Sequence, residues 1–146
     1  MEKEQTVNLI RYGLAEPLPE RRKLAAGRLT AVLENGGLRY IRYGNRELVR
    51  GIYAAVRDRN WGTVVPVFRR YEVRQEAESF AVDFEAEHRN DEVHFVWEGR
   101  IRGTAEGTIR FEMDGAARRE FLRNRIGFCV LHPAEQAGLP LEVETP

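Results

Sequence analysis

Arg57, Asp58, Asn60 and Trp61 fall together in the segment Arg57-Asp58-Arg59-Asn60-Trp61-Gly62-Thr63. Planar donors, a carboxylate and an indole are the groups that sugar-binding sites use for hydroxyls and ring faces. The plain structural account is a strand-end corner, with Asp58 satisfying local backbone groups, Gly62 supplying a turn and Trp61 anchoring the loop to the core. That account takes precedence because tryptophan is on average highly buried. The segment remains the best candidate for substrate contact.

Arg123-Asn124-Arg125 and His132 bracket the apolar run Ile126-Gly127-Phe128-Cys129-Val130-Leu131. Arg123 and Arg125 are further substrate-binding candidates, and His132 is the one candidate general base, since histidine most often fills that role. No carboxylate partner for it is evident in the chain, so a strand-end histidine before Pro133 is the simpler account. A third grouping is Glu87 with His94, and Glu85, Glu98 and His88 near them. Its spacing matches no closed zinc pattern, and it is expected to be a cross-strand pair on a solvated face. No metal and no other cofactor is expected. No Gly-rich phosphate loop opens a helix, and no G-x-S-x-G nucleophile elbow occurs.

The elements that must position these groups read as strands. Leu29, Ala31 and Leu33 alternate with polar or β-branched residues up to Asn35-Gly36, a pair suited to a type I′ hairpin turn because both central residues need positive φ. Such a turn sets Leu33 opposite Leu38 and Ala31 opposite Tyr40. Phe80, Val82, Phe84 and Ala86 form one apolar face, and Val93, Phe95, Trp97 and Ile101 continue the period after Arg89-Asn90-Asp91-Glu92. A four-residue loop there pairs Phe84 with Trp97 and Ala86 with Phe95. A five-residue loop before the strand Thr108 to Met113 sets Phe111 against Trp97, which becomes the centre of an aromatic cluster. Asp114 to Glu120 is the plausible site of a short helix, and Ile126 to Leu131 reads as a central strand covered on both sides, with Cys129 buried and inert. The expected fold is therefore all-β: an antiparallel β-sandwich, mutarotase-like or supersandwich type being one form of it, with at most one short helix. Residues 1–26, with Pro17, Pro19 and the run Glu20-Arg21-Arg22-Lys23, are expected to be an irregular N-terminal arm, and 27–146 the sandwich domain.

Composition narrows the partners. The chain has 146 residues, 23 lysines and arginines and 23 aspartates and glutamates, so its formal net charge is zero and no basic excess points to nucleic acid. No run approaches the ~20 apolar residues of a membrane span, and the start lacks the apolar stretch of a secretory leader, so a cytoplasmic location is expected.

Two stretches carry a resemblance: Leu38 to Pro66, LRYIRYGNRELVRGIYAAVRDRNWGTVVP, and Arg123 to Pro133, RNRIGFCVLHP. With the strands between them they resemble the N-terminal β domain of the D-apionate lactonase family, from about Gly27 onward. The resemblance implies a bacterial enzyme of apiose catabolism that opens D-apionolactone, in which this domain leads into a TIM-type barrel and a further β domain. A barrel needs ~200 residues or more, so the chain is expected to be an accessory domain that lacks the catalytic barrel and is inactive alone. Its expected partners are a small sugar or sugar lactone and the missing barrel or another protein surface. The resemblance transfers no catalytic residue. The alternative is a self-sufficient carbohydrate-binding or mutarotase-like sandwich using His132 with a glutamate. The two differ physically: an orphaned domain should expose an apolar patch larger than the few hundred Å² usual for monomers.

Overall fold

The computed structural model describes residues 2–145. A short helix, α1 (Glu2–Tyr12), is followed by nine strands: β1 (Arg21–Ala26), β2 (Leu29–Glu34), β3 (Gly37–Tyr43), β4 (Arg46–Asp58), β5 (Pro66–Gln75), β6 (Ser79–Arg89), β7 (His94–Thr104), β8 (Ile109–Ala117) and β9 (Arg123–Leu131). They form two antiparallel sheets, ordered β1-β2-β3-β4-β9 and β5-β6-β7-β8. Leu24, Leu29, Leu33 and Leu38 of the first sheet meet Phe80, Val82, Phe84, Trp97 and Ile101 of the second in one core. This is the expected all-β, two-sheet architecture with one short helix.

The Asn35-Gly36 turn forms as expected, with φ of 48° and 69°, and Leu33 pairs with Leu38. A side chain at Gly36 would collide with the Phe68 ring, at 2.7 Å, and the Gly36 amide donates to the Tyr71 hydroxyl at 3.2 Å, so the turn is pinned to the opposite sheet. Ala31 does not pair with Tyr40. A bulge interrupts the ladder between Thr30 and Val32, and Tyr40 lies at φ 51°. Bulges of this kind increase the local twist of the sheet.

The apolar faces of β6, β7 and β8 coincide as expected, but their registers differ by even numbers of residues. Phe84 pairs with Gly99, Ala86 with Trp97 and Phe111 with Ile101. The β6–β7 turn takes in Val93, which is fully buried, because the Asn90 side chain accepts from the amides of Glu92 and Val93 at 3.0 and 2.6 Å. An even slip keeps every side chain on its face, so periodicity alone is blind to it. Trp97 is buried and meets Phe84 edge-on at 5.1 Å between centroids, whereas Phe111 packs against Phe128 at 4.7 Å.

Four further expectations are corrected. The stretch Asp114 to Glu120 holds no helix: β8 runs on to Ala117, because Gly115, which pairs with Trp97, leaves room for Phe95 and Trp97, where a Cβ would stand 2.6 and 2.7 Å from their atoms. Residues 21–26 are not irregular but form an edge strand that buries Leu24 and Ala26, and the helix lies at 2–12 instead. The run Ile126 to Leu131 is not a central strand. β9 is the other edge of its sheet, and Phe128, Val130 and Leu131 are 41%, 48% and 47% exposed. Cys129 is accordingly half-buried rather than buried.

Candidate binding surface

Ile52, Ala54 and Val56 of β4 pack against the core, so the alternate residues Gly51, Tyr53, Ala55 and Arg57 point away from it. Their partners on β9 are Leu131, Cys129, Gly127 and Arg125, which share that outer face. A strip two strands wide therefore runs from Gly51 and Leu131 at one end to Arg57 and Arg125 at the other.

The Arg57–Arg125 end is the corner singled out by sequence. The Asp58 carboxylate accepts from the amides of Asn60 and Gly62, both at 2.8 Å, and the Trp61 amide donates to the Asp58 carbonyl at 3.1 Å. Position 62 must be glycine, since a Cβ there would lie 2.4 Å from the Asp58 carboxylate. The Arg57 guanidinium bonds the Thr63 hydroxyl. The structural role foreseen for Asp58 is thus present, but Trp61 does not anchor the loop in the core. It sits at φ 67° and is 57% exposed, with the Arg125 guanidinium 5.3 Å from its ring centroid. A bulky residue held in the left-handed region costs on the order of 1–3 kcal/mol, and such strain concentrates at functional sites. Register places Arg123 opposite Asp58 and Arg125 opposite Arg57, so Arg57, Asp58, Asn60, Trp61, Arg123 and Arg125 do come together.

His132 is not among them. It lies beyond the other end of β9, seven residues from Arg125, a separation of about 23 Å at ~3.3 Å per residue. Its Nδ1 is 3.2 Å from the Gln136 amide oxygen, and Gln136 donates in turn to the Leu48 carbonyl at 2.9 Å.

Glu87 and His94 meet at 2.9 Å on the polar face, diagonally rather than directly opposite, since Glu87 pairs with Val96. Arg69 bonds the same carboxylate at 2.8 Å, and these two neighbours, Arg69 foremost, hold Glu87 below the usual carboxylate range. Arg70 bridges Glu85 and Glu98 at 2.6 and 3.4 Å. His88 belongs to neither group: it is buried on the opposite face. Among the described residues no cluster of His, Cys, Asp or Glu has the arrangement of a metal site.

Sequence reasoning missed the Gly51 end of the strip. There a cleft of about 440 Å³ is lined by Glu34, Arg39, Arg50, Gly51, Tyr53 and Leu131, and also by Thr63 and Val65. β3–β4 pairing brings Arg39 against Gly51, and β4–β9 pairing brings Leu131 to its other side. The Glu34 side chain, 8% exposed, accepts from Arg21 and forms an ion pair with Arg39, whose Nε lies 2.7 Å away. The available signal was the small residue Gly51 between Arg50 and Ile52, but only the strand pairing shows what surrounds it. A second groove, of about 370 Å³, opens between the sheets beside Ile109, Phe111, Phe128 and Val130 and is almost wholly apolar.

A curated relative, the D-apionate lactonase of Brucella anthropi, is 35% identical over 135 residues, which is 91% of this chain and 22% of that enzyme. The chain thus spans about a fifth of the relative's length. No solved structure matches the chain significantly. No helix among the described residues is long and apolar enough to cross a membrane. The family model described as "D-apionate lactonase, N-terminal domain" matches residues 9–146, which contain all nine strands, and the chain belongs to that family.

Proposed function

We propose that the chain is the N-terminal accessory β domain of a D-apionate lactonase-like sugar-lactone hydrolase, working in a bacterial cytoplasm and inactive by itself. The observation that carries this reading is an exposed apolar edge: Phe128 and Val130, on one face of β9, stand 41% and 48% exposed in an open apolar groove. Contiguous apolar surface on an edge strand is costly in water and invites unwanted pairing, and a covering domain removes both problems. The relative's remaining length supplies ample chain for such a cover. Lactone opening also needs an activated water or nucleophile and donors on the developing oxyanion, held in one pocket. His132, the candidate base, bonds a glutamine and lies far from the arginines of the corner.

The test is to incubate the purified chain with D-apionolactone and follow acid release above the spontaneous rate, with the Brucella anthropi enzyme as positive control. No turnover is expected. Turnover that disappears in His132→Ala would overturn the accessory reading and make His132 catalytic. A second reading, a carbohydrate-binding sandwich, is favoured by the exposed indole of Trp61. Sugar binding lost in Trp61→Ala, with no rate enhancement when a lactonase domain is supplied, would favour it.

A further inference from the structure

We infer that the Trp61 end of the sandwich is a docking face for a carboxylate-rich segment of a protein partner, with Trp61, Arg123 and Arg125 at its centre. The inference depends on neither reading above, since it concerns the protein surface this end accepts and not lactone or sugar chemistry.

Ion pairing saturates one face of this molecule and is missing from one end. On the polar face of the second sheet Arg69, Arg70, Arg74, Arg100, Arg102 and Arg110 each meet a carboxylate. Past the ends of β4, β6 and β8 and at the start of β9, the arginines at 57, 89, 118, 119, 123 and 125 have no carboxylate at ion-pairing distance among the described residues. Arg57 bonds a hydroxyl instead, Arg119 bonds the carbonyls of Asp91 and Glu92, and Arg125 lies over the Trp61 ring. Pairing gathers these groups. Arg123 stands opposite Asp58, Arg125 opposite Arg57 and Arg89 opposite His94, whose carbonyl accepts from the Arg118 amide. Glu92 links the two sides, because its carboxylate takes Arg59 at 3.2 Å and its carbonyl takes Arg119 at 2.8 Å.

Charge and shape both favour an acidic protein segment. Seven arginines, Arg59 included, stand at this end against Asp58, Asp91, Glu92 and Glu120, so a chain of zero net charge is locally cationic here. Asp58 is already occupied by the amides of Asn60 and Gly62, and nearby Glu87 is shared by Arg69 and His94. Such an end steers carboxylates towards it. The arginines are interleaved with exposed apolar side chains, Trp61 at 57%, Val65 at 72% and Leu122 at 68%. Tryptophan and arginine supply most of the binding energy at protein interfaces, and a guanidinium stacked on an indole keeps its N–H edge free for a carboxylate. The two amides that Asp58 holds flank Trp61 and fix it at φ 67°, so the ring is presented before a partner arrives. A nucleic-acid backbone fits less well, since phosphates make no use of Val65 and Leu122.

The experiment titrates the 146-residue chain with a capped hexapeptide alternating glutamate and leucine, with its counterpart carrying glutamine for every glutamate, and with hexathymidylate, following backbone amide shifts by NMR. The glutamate peptide is expected to bind with Kd on the order of 1 mM, with shifts centred on residues 57–63 and 119–125, and to weaken as salt is raised. The glutamine peptide should bind about tenfold more weakly. Replacing both arginines, Arg123→Gln with Arg125→Gln, should cost about tenfold in affinity, as loss of charge-assisted pairs implies. Trp61→Ala should weaken binding as well, and Arg74→Gln, on the saturated face, should leave it unchanged. Unchanged thermal melts establish that the variants fold. Absence of shifts with the glutamate peptide, equal affinity for its glutamine counterpart, unaltered affinity in the folded arginine and tryptophan variants, or tighter binding of hexathymidylate would each overturn the assignment.

Discussion

The indole nitrogen of Trp97 donates to His88 Nε2 at 2.9 Å, and on the far side of the imidazole His88 Nδ1 lies 2.6 Å from the Val64 carbonyl. An indole N–H can only donate, so Nε2 must be bare and the proton must sit on Nδ1, where it donates to Val64. The ring is 3% exposed and neutral, and it ties β6 and β7 to the loop that leads into β5. A second proton would have to sit on Nε2, facing the indole N–H.

Stability should therefore fall on mild acidification. Burial holds His88 below the ordinary histidine value of 6.5, the hydrogen bond to Val64 opposing it only in part. Below pH 6.5 the unfolded chain takes up a proton that the folded chain refuses, so stability is full above that pH and declines as pH drops towards the folded pKa. The limiting slope is about 1.4 kcal/mol per pH unit. Urea midpoints measured between pH 7.5 and 5 should show this decline in the native protein and a flatter profile in His88→Gln. Parallel profiles would refute it.

Trp97→Ala should cost about 3–5 kcal/mol, the range for a large buried aromatic, since it empties the space beside Phe84 and leaves His88 Nε2 without its donor. Trp97→Phe keeps most of the volume and should cost less, about 1–3 kcal/mol, for the stranded polar atom. Chemical denaturation monitored by circular dichroism gives both values; a Phe variant as damaged as the Ala variant would show that the hydrogen bond, not packing, dominates.

Gly99 is predicted to be intolerant of a methyl group. It pairs with Phe84, and a Cβ at that position would lie 2.2 Å from the ring. Phe84 cannot step aside because Phe68, Tyr71 and Trp97 pack around it with centroids 5.1–5.3 Å away. Gly99→Ala should destabilise by about 1–3 kcal/mol, the usual cost of overpacking. Gly51→Ala, whose added methyl would meet nothing closer than ordinary contact at 3.6 Å, is the control and should be near neutral in the same denaturation assay.

The two tryptophans should separate cleanly in solution. Trp61 is 57% exposed and Trp97 3%, so iodide should quench one fraction of the fluorescence and leave the other. Trp61→Phe should remove the quenchable fraction while shifting stability by no more than about 0.5 kcal/mol. A blue-shifted, unquenched Trp61 would place it in contact with something that covers it.

Cys129 should react with a thiol reagent in the folded protein, more slowly than in denaturant. It is half-buried on the outer face of an edge strand, the face it shares with exposed Leu131 and Tyr53. Reaction only after global unfolding would mean that the edge is covered in solution, for example by a second copy.

The sandwich class, the Asn35-Gly36 turn and the apolar faces of β6 and β7 were legible because a period of two and a turn needing positive φ are local properties of the chain. His88 was legible in principle as well: it continues the alternation of Phe80, Val82, Phe84 and Ala86, and its buried side follows from parity. Register was not, since Phe84 against Trp97 and Phe84 against Gly99 put the same side chains on the same face, and only the Asn90 turn and the room above Gly99 choose between them. The run Ile126 to Leu131 named its residues as apolar but not its neighbours; edge or centre is settled by the strand order, which leaves β9 with a partner on one side alone. Strand order likewise joined Arg57 to Arg125 and Arg39 to Gly51, and it carried His132 away from both arginine groups. The chain's local chemistry determined which side chains are paired face to face with water or core, whereas which distant segments share a surface depends on long-range pairing, whose free energy is spread over many contacts and written in no single motif.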